Sequence, residues 1–367
     1  CVALKHGHEP TFERTTETEP FMRLKSLLPT LLTLVVLVPV TSYAQTLLVA
    51  NKTDNTVDLI DVDSGESIAT LPTGAAPHEI ETSPDGSLAV ISNYGDRDEP
   101  GSSLTIIDVS AASVLRTIDL GEHSRPHGLS WVGENRVAVT TEGSAHLLVV
   151  DVDAGTVAQQ IPTDQEISHM VATTPDGGRA FVANIGSGSV TAIDLVSGTK
   201  LTDIETGEGA EGIAVTPDGG EVWITNRAAD TISIVDPQSL EIVETVSCAG
   251  FPIRVAITPD GARALVSVAR AGEVVVFDVE SRRELTRRKL DLSTVPDAST
   301  RLFGDSFGES PVPVGLVIEP GGEYAWVAAT QADAVVVVDT TDLEVKDLWR
   351  AGQEPDGMSF SAISERK

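Results

Sequence analysis

The sequence is poor in cysteine and in aromatic residues, and both shortages limit how the protein can be stabilised. Among 367 residues there are two cysteines, and aromatic residues make up 4%. Cys1 precedes a predicted signal peptide, so Cys248 is left without an intramolecular disulfide partner in the mature chain. No CxxCH motif is present, so covalently attached haem is not expected. The core must therefore rely on Val, Ile, Leu and Ala.

Basic residues are also scarce, and this restricts the partners to consider. The 25 Lys and Arg residues are outnumbered by 55 Asp and Glu residues, which gives a formal net charge of -30. Nucleic acids and anionic membrane surfaces attract clusters of Lys and Arg, so we expect neither as a partner. The acidic residues are spread through the loops, which is typical of a solvated surface.

The N-terminal residues have the pattern of an export signal. Residues 1–21 are polar and aperiodic, and we interpret them as a non-native upstream extension. In residues 22–44, Arg23 and Lys25 precede an apolar run over 27–40 and a small-x-small cleavage site. This order is typical of a secretory signal peptide. The apolar run is short and contains proline, so we expect no membrane insertion after cleavage.

The remaining residues, 45–367, repeat one ten-residue phrase, which we call the inner phrase. Its seven copies are PHEIETSPDG from Pro77, PHGLSWVGEN from Pro126, SHMVATTPDG from Ser168, AEGIAVTPDG from Ala210, PIRVAITPDG from Pro252, PVGLVIEPGG from Pro313 and PDGMSFSAIS from Pro355. The steps between the copies are 49, 42, 42, 42, 61 and 42 residues. A fixed period near 42 is typical of a repeat architecture, so we expect residues 45–367 to form one domain and a monomer.

Each repeat contains four short runs of alternating β-branched residues between Gly, Pro and Asp clusters, and this pattern predicts strands. Seven repeats of four strands predict an all-β fold, a seven-bladed β-propeller of four-stranded blades. The chain begins with the second run of one repeat and ends with an inner phrase. The strand over 355–362 must therefore join the first three strands, over 47–73, to complete one blade.

Three segments are similar to a known repeat. LLVANKTDNTVDLIDV, AFVANIGSGSVTAIDL and VWITNRAADTISIVD resemble the YVTN repeats of the YncE-like family of exported bacterial β-propellers. The resemblance extends over residues 46–362 and implies a periplasmic or secreted propeller. Propellers host unrelated activities, so the function must be inferred from the site.

Residues common to all repeats are interpreted as scaffold. The Pro-Asp-Gly segments, such as 84–86, have the chemistry of tight turns, because Asp bonds the local backbone and Gly takes positive φ. A carboxylate also ends the third run of every repeat, as at Asp61 and Asp108, and is expected to cap a turn. Trp223 and Trp326 are expected to pack in the core or between blades.

Residues that differ between the repeats are the candidates for function. In a propeller, the inner phrase forms the innermost strand, and its first residues lie at one mouth of the central channel. The second position of the phrase, in chain order, is His78, His127, His169, Glu211, Ile253, Val314 and Asp356. Three imidazoles beside a carboxylate could bind Zn or Cu, or serve as general acids and bases. The plain alternative is that these histidines fill the rim and bond neighbouring backbone. No cofactor is otherwise expected.

Further candidates flank this position on the same face. They are Arg125, Arg254, Asn93, Tyr94, Asn184, Asn226, Arg227 and Arg270. The arginines predict a positive rim that would bind a small anionic ligand, and the asparagines are also common turn residues. Insertions at 93–103 and 293–313 map to this face, where Phe303 and Phe307 could cover the mouth. An insertion without function is the alternative.

Three functions are consistent with the sequence. The first is an exported scaffold that binds a small anionic ligand or another protein at the channel mouth. The second is a lyase or lactonase-like hydrolase that uses the mouth histidines, with or without a metal. The third is a redox-cofactor or metal site.

Overall fold

The computed structural model describes residues 45–301 and 303–363. The predicted upstream extension (1–21) and signal peptide (22–44) lie outside these residues. Among the residues described, no helix is long and apolar enough to cross a membrane.

The described chain forms seven four-stranded antiparallel sheets, which are the blades of a propeller. From the centre outward, blade 1 contains β28 (Pro355–Ser361), β1 (Thr46–Asn51), β2 (Thr56–Asp61) and β3 (Ser67–Pro72). Blade 2 contains β4 (Pro77–Thr82), β5 (Leu88–Gly95), β6 (Pro100–Asp108) and β7 (Ser113–Asp119). Blade 3 contains β8 (Pro126–Val132), β9 (Arg136–Thr141), β10 (His146–Asp151) and β11 (Thr156–Pro162). Blade 4 contains β12 (Ser168–Thr173), β13 (Arg179–Asn184), β14 (Ser189–Asp194) and β15 (Thr199–Glu205).

The last three blades follow the same order. Blade 5 contains β16 (Ala210–Val215), β17 (Val222–Asn226), β18 (Thr231–Asp236) and β19 (Glu241–Ser247). Blade 6 contains β20 (Pro252–Ile257), β21 (Arg263–Val268), β22 (Glu273–Asp278) and β23 (Arg283–Lys289). Blade 7 contains β24 (Pro313–Ile318), β25 (Tyr324–Ala329), β26 (Ala334–Asp339) and β27 (Val345–Arg350). The predicted seven-bladed fold is confirmed, and each inner phrase begins an innermost strand.

The ring closes as the order of the repeats predicts. Strand β28 pairs with β1 in antiparallel register, with Thr46 opposite Ser361 and Leu47 opposite Phe360. The first and last described strands therefore complete blade 1 together.

The hydrophobic core is divided among the spaces between consecutive blades. Between blades 5 and 6, for example, Trp223 lies edge-on to Phe277, with 6.3 Å between ring centroids. Between blades 7 and 1, Trp326 lies 4.6 Å from Phe360. The predicted packing role of both tryptophans is confirmed, since they are almost fully buried.

The repeated aspartates stabilise turns, as predicted. Oδ1 of Asp176 accepts hydrogen bonds from the Thr174 hydroxyl and the Gly178 amide, and the intervening Gly177 has a φ of 68°. Oδ1 of Asp61 accepts from the backbone amide of Ser64, three residues further on. These carboxylates satisfy backbone donors that strand ends would otherwise leave exposed.

The longer insertion folds against the channel mouth. It contains two short 3-10 helices, Ala298–Thr300 and Gly304–Phe307. Phe303 and Phe307 stack on each other and pack against Phe251, Ile253 and Val314 of blades 6 and 7. Of the two alternatives for this segment, the described residues favour packing over the mouth.

Candidate functional site

Every inner phrase is preceded by a residue in a left-handed backbone conformation. The residue before the phrase has a left-handed conformation in all seven blades, with φ between 47° and 76°. These residues are Ala76, Arg125, Ile167, Gly209, Phe251, Val312 and Glu354. Six are not glycine, and a side chain makes this conformation costly, so tertiary contacts must hold it.

The contact that holds this turn is the same in each blade. Its carbonyl accepts a hydrogen bond of 2.9–3.2 Å from a residue at the end of the second strand of the blade or directly after it. The donors, which we call the loop ring, are Lys52, Tyr94, Glu142, Ile185, Arg227, Ala269 and Thr330. Each hydrogen bond thus places a loop-ring residue beside an inner phrase.

All seven second-position residues of the inner phrase line one cavity, and we call them the mouth ring. The cavity has a volume of about 270 Å³ and also contacts five loop-ring residues. The register predicted from the sequence therefore does bring the three histidines, Glu211 and Asp356 together. Their side chains alternate with loop-ring side chains around the opening.

The polar side of the cavity contains a chain of hydrogen bonds. The Tyr94 hydroxyl donates to Oε2 of Glu142 at 2.5 Å, and Nδ1 of His169 donates to Oε1 of the same carboxylate. Nε2 of His169 lies 3.3 Å from Oε1 of Glu211. Both ring nitrogens of His169 thus face carboxylates, which favours the imidazolium. Although burial opposes the charge, the hydrogen bonds to Glu142 and Glu211 raise the pKa of His169.

Two arginines and two glutamates form a network of ion pairs that begins at Glu211. Arg227 donates to Oε2 of Glu211 at 2.5 Å, and Arg254 donates to Oε1 of Glu211 at 3.2 Å. Arg254 also donates to Glu79 at 2.5 Å across the channel. Burial disfavours the Glu211 carboxylate, but hydrogen bonding to His169 and the charges of both arginines lower its pKa to about 2.

The other two histidines are neutral. Nδ1 of His78 lies 2.9 Å from the Ala76 carbonyl, which can only accept, so this nitrogen carries the hydrogen and Nε2 keeps its lone pair. Burial, together with the nearby charge of Lys52, lowers the pKa of His78 to about 3. Burial and the charges of His169 and other neighbouring cations hold the pKa of His127 well below its usual value.

An ion pair completes the polar side next to His78. Nζ of Lys52 lies 2.9 Å from Oδ2 of Asp356, while Oδ1 of Asp356 has no hydrogen-bond partner in the described structure. Burial opposes ionisation of Asp356, but the charge of Lys52 lowers its pKa. We define the polar arc as the mouth-ring residues of blades 1 to 5, the polar loop-ring residues Lys52, Tyr94, Glu142 and Arg227, and Arg254.

The opposite side of the cavity is apolar. Its mouth-ring residues are Ile253 and Val314, and Phe303 of the insertion lies beside them. We call these three residues the apolar arc. Arg227 and Arg270 lie over the Phe251 ring, 5.2 and 4.8 Å from its centroid, and cover the outside of the aromatic cluster.

Several predicted site residues lie away from the cavity. The Asn93, Asn184 and Asn226 side chains are buried inside their blades, where each amide donates to hydroxyls of the adjacent strand. Arg125 lies over the Tyr94 ring outside the cavity. Of the four arginines of the predicted positive rim, Arg227 and Arg254 are paired with carboxylates.

Three important residues were missed from the sequence. Glu142 and Lys52 belong to the loop ring, and Glu79 occupies the third position of an inner phrase. The repeat pattern could have identified Lys52 and Glu142, because both occupy the same repeat position as Tyr94. Aligning that position around the repeats would have identified the whole loop ring.

One group of side chains has the geometry of a metal site. Ligand atoms of His127, Glu142 and His169 lie within 4.8 Å of one another. The group shares two histidines with the predicted set, and Glu142 takes the place of His78. Metal ligands must be deprotonated, so an ion would compete with the proton that His169 shares with Glu142. The His127 and His169 rings also lie close together, with 3.6 Å between centroids.

Comparison with known proteins finds one matching family model. It is described as a YNCE-like beta-propeller and matches residues 130–302, which extend from blade 3 to the insertion. This part of the chain is similar to the YncE-like β-propellers. The resemblance expected from the repeats is confirmed, and no curated protein matches the sequence.

Solved structures share the fold of this seven-bladed propeller at low sequence identity. A functionally unknown protein from Desulfotomaculum acetoxidans is 14% identical, with a TM-score of 0.70 over 88% of this chain and 99% of the other. Kuenenia stuttgartiensis hydrazine synthase is 18% identical, with a TM-score of 0.64 over 82% and 93%. The dihydro-heme d1 dehydrogenase NirN is 16% identical, with a TM-score of 0.61 over 86% and 74%. These similarities concern the fold alone.

Proposed function

We propose that this YncE-like propeller is an exported binding protein whose channel-mouth cavity holds a small organic anion with an apolar body. The observation that carries the proposal is the convergence of all seven mouth-ring residues on one cavity, with a polar arc opposite an apolar arc. A volume of about 270 Å³ suits a small molecule rather than a peptide. Export is inferred from the signal peptide predicted over 22–44.

The anionic group would lie near His78 and His127. Both rings are buried and neutral, and the charge of Lys52 is among the causes that lower both pKa values. An anion placed there would gain from the same positive potential that keeps the rings neutral. Nδ1 of His127 and Nε of Arg254 are buried without hydrogen-bond partners in the described structure, so each can bond to a ligand.

The apolar body would contact the apolar arc. Ile253 and Val314 replace the polar residues found at the same position in the other blades, and Phe303 extends the surface. A fully hydrated inorganic anion would gain nothing from this side. A carboxylate attached to a hydrocarbon or aromatic ring would satisfy both arcs.

Calorimetric titration with benzoate tests the proposal, with benzamide as an uncharged ligand of similar shape. We expect benzoate to bind at least about tenfold more tightly than benzamide. Lys52→Met should weaken benzoate binding by a similar factor. Lys346→Met removes the same charge on β27, outside the residues that line the cavity, and should leave the affinity unchanged.

The pH dependence provides a second criterion. An anion beside the two neutral histidines raises their pKa values, so binding takes up protons and benzoate affinity should increase as the pH falls from 7 to 5. Equal affinity for benzoate and benzamide, or no binding of either, would overturn the proposal. The same holds if both lysine variants weaken binding equally.

A second candidate is a transition-metal site, because the ligand atoms of His127, Glu142 and His169 lie within 4.8 Å of one another. Elemental analysis after incubation with Zn²⁺ or Cu²⁺ tests it. Stoichiometric metal that is retained in His78→Ala and lost in His127→Ala would support this candidate. No bound metal in the wild type, or equal loss in both variants, would overturn it.

The catalytic alternative uses the same cavity. A lyase or hydrolase function stays a prediction, and it requires turnover that His127→Ala abolishes while the variant remains folded. Recognition of a partner protein at the mouth and a monomeric state also stay predictions.

A further inference from the structure

The outer strands of the seven blades are structurally equivalent, but one differs from the others in charge. Strand β23 has the sequence RELTRRK, with four basic residues and one acidic residue. Each of the other outer strands, β3, β7, β11, β15, β19 and β27, has at most two basic residues. In a chain of net charge -30, this strand is a local basic surface.

Most of these charges are free. Arg287 pairs with Glu273 at 2.8 Å and with Glu284 at 3.0 Å. The Arg283, Arg288 and Lys289 side chains are exposed, and the described structure places no carboxylate within ion-pair distance of them. Such unpaired cations can meet an acidic partner without breaking an existing ion pair, and they speed the encounter.

The backbone of β23 is also available for pairing. The strand hydrogen-bonds to β22 on one side only, and it is the last strand of its sheet. Within the described chain, its residues make no backbone hydrogen bond outside that sheet. Leu285, near its centre, is 54% exposed, which is high for a large apolar side chain.

Positive charges on an edge strand often serve only to prevent edge-to-edge aggregation. That explanation applies equally to all seven outer edges, yet β3 and β11 contain no charged residue at all. The charge of β23 therefore exceeds what edge protection requires in this fold. An exposed leucine between arginines also suits recognition better than protection.

We propose that β23 is a docking edge for an extended acidic segment of a partner protein, which would add to blade 6 as a fifth strand. Main-chain hydrogen bonds would supply affinity, and Arg283, Arg288 and Lys289 would select acidic side chains. The acidic surface elsewhere on the molecule repels such a segment, so encounters would be directed to this edge.

Fluorescence anisotropy with a labelled peptide of alternating Glu and Val, about ten residues long, tests the proposal. The comparison peptide has the same charge but contains proline at alternate valine positions, which prevents strand pairing. We expect the first peptide to bind the mature protein at least about tenfold more tightly than the second. The variant R288E/K289E should lose this binding.

The matched control is K346E/R350E, which makes the same change of net charge on the outer strand of blade 7. It should leave peptide affinity within about threefold of the wild type. Equal binding of both peptides, equal effects of both variants, or no binding would overturn the proposal. Self-association of the wild type that only R288E/K289E disrupts would instead assign the edge to a second copy of the chain.

Discussion

The two sides of the channel mouth solve the problem of burial in opposite ways. In the polar arc, the buried charged side chains form ion pairs and hydrogen bonds with one another. In the apolar arc, Ile253 and Val314 lie under an aromatic cluster supplied by the insertion. Ile253 and Val314 occupy the same position of the inner phrase as the mouth-ring residues of the polar arc. The two arcs differ in the residues that cover this position.

The insertion explains why the apolar arc contains no charged residue. Phe303 and Phe307 pack against Phe251 and remove this side of the mouth from water. A carboxylate or imidazole there would need a partner of its own, and blades 6 and 7 offer none in the loop ring, where Ala269 and Thr330 lie.

Removing the central cation of the polar arc should have the largest effect. Arg254→Met would leave Glu79 and Glu211 buried without a shared guanidinium, which is expected to cost about 3–5 kcal/mol of unfolding free energy. Urea unfolding at pH 7 measures this loss. The variant E79Q/R254M should recover part of it, because Glu79 is then no longer a buried unpaired carboxylate, while Glu211 still pairs with Arg227 and His169. Wild-type stability in Arg254→Met would contradict the assigned role.

Truncating the apolar arc should have the next largest effect. Ile253→Ala removes a side chain that is 2% exposed, and we expect a loss of about 2–4 kcal/mol in the same assay. Ile242→Ala, on the outer strand β19, should change stability by less than about 0.5 kcal/mol, since that side chain is 38% exposed. Equal losses would show that the apolar arc is not a packed part of the core.

The neutral His78 should make the protein less stable as the pH falls. The pKa of His78 is lowered from 6.5 to about 3 in the folded protein. Between these two pH values, His78 is protonated in the unfolded chain and neutral in the folded protein. Stability should therefore decrease between pH 6.5 and pH 4. His78→Asn should reduce that decrease by about 1–3 kcal/mol. Parallel pH profiles for the two proteins would argue that His78 is solvated.

His169 should behave in the opposite way. Its raised pKa contributes stability that is fully present below the unfolded pKa and is lost as the pH rises through the folded pKa. NMR titration of the histidine ring protons should show this residue titrating above its ordinary pKa. Glu142→Gln should lower that pKa by about one unit, whereas Glu134→Gln, away from the mouth, should not change it.

The fold and the register of the mouth ring could be predicted because both depend on repetition. A period near 42 specifies the blades, and the second position of the inner phrase then identifies seven side chains that must face the channel. The asparagines that directly precede loop-ring residues were harder to interpret. A shift of one position along the chain moves a side chain from the blade interior to the mouth. Asn93 is turned inward, and Tyr94, the next residue, lines the cavity.

The sequence by itself determined the seven blades, the closure of blade 1 and the gathering of histidines at one mouth, because these follow from strand periodicity and the order of the runs. Only the tertiary structure decided the electrostatics of the cavity. Arg254 and Glu79 are 175 positions apart in the sequence and pair across the channel, and Glu142 and His169 pair although they belong to different blades. Such pairings depend on distances between blades, which no local pattern encodes. The pairing with Glu142 raises the pKa of His169, whereas burial lowers the pKa values of His78 and His127.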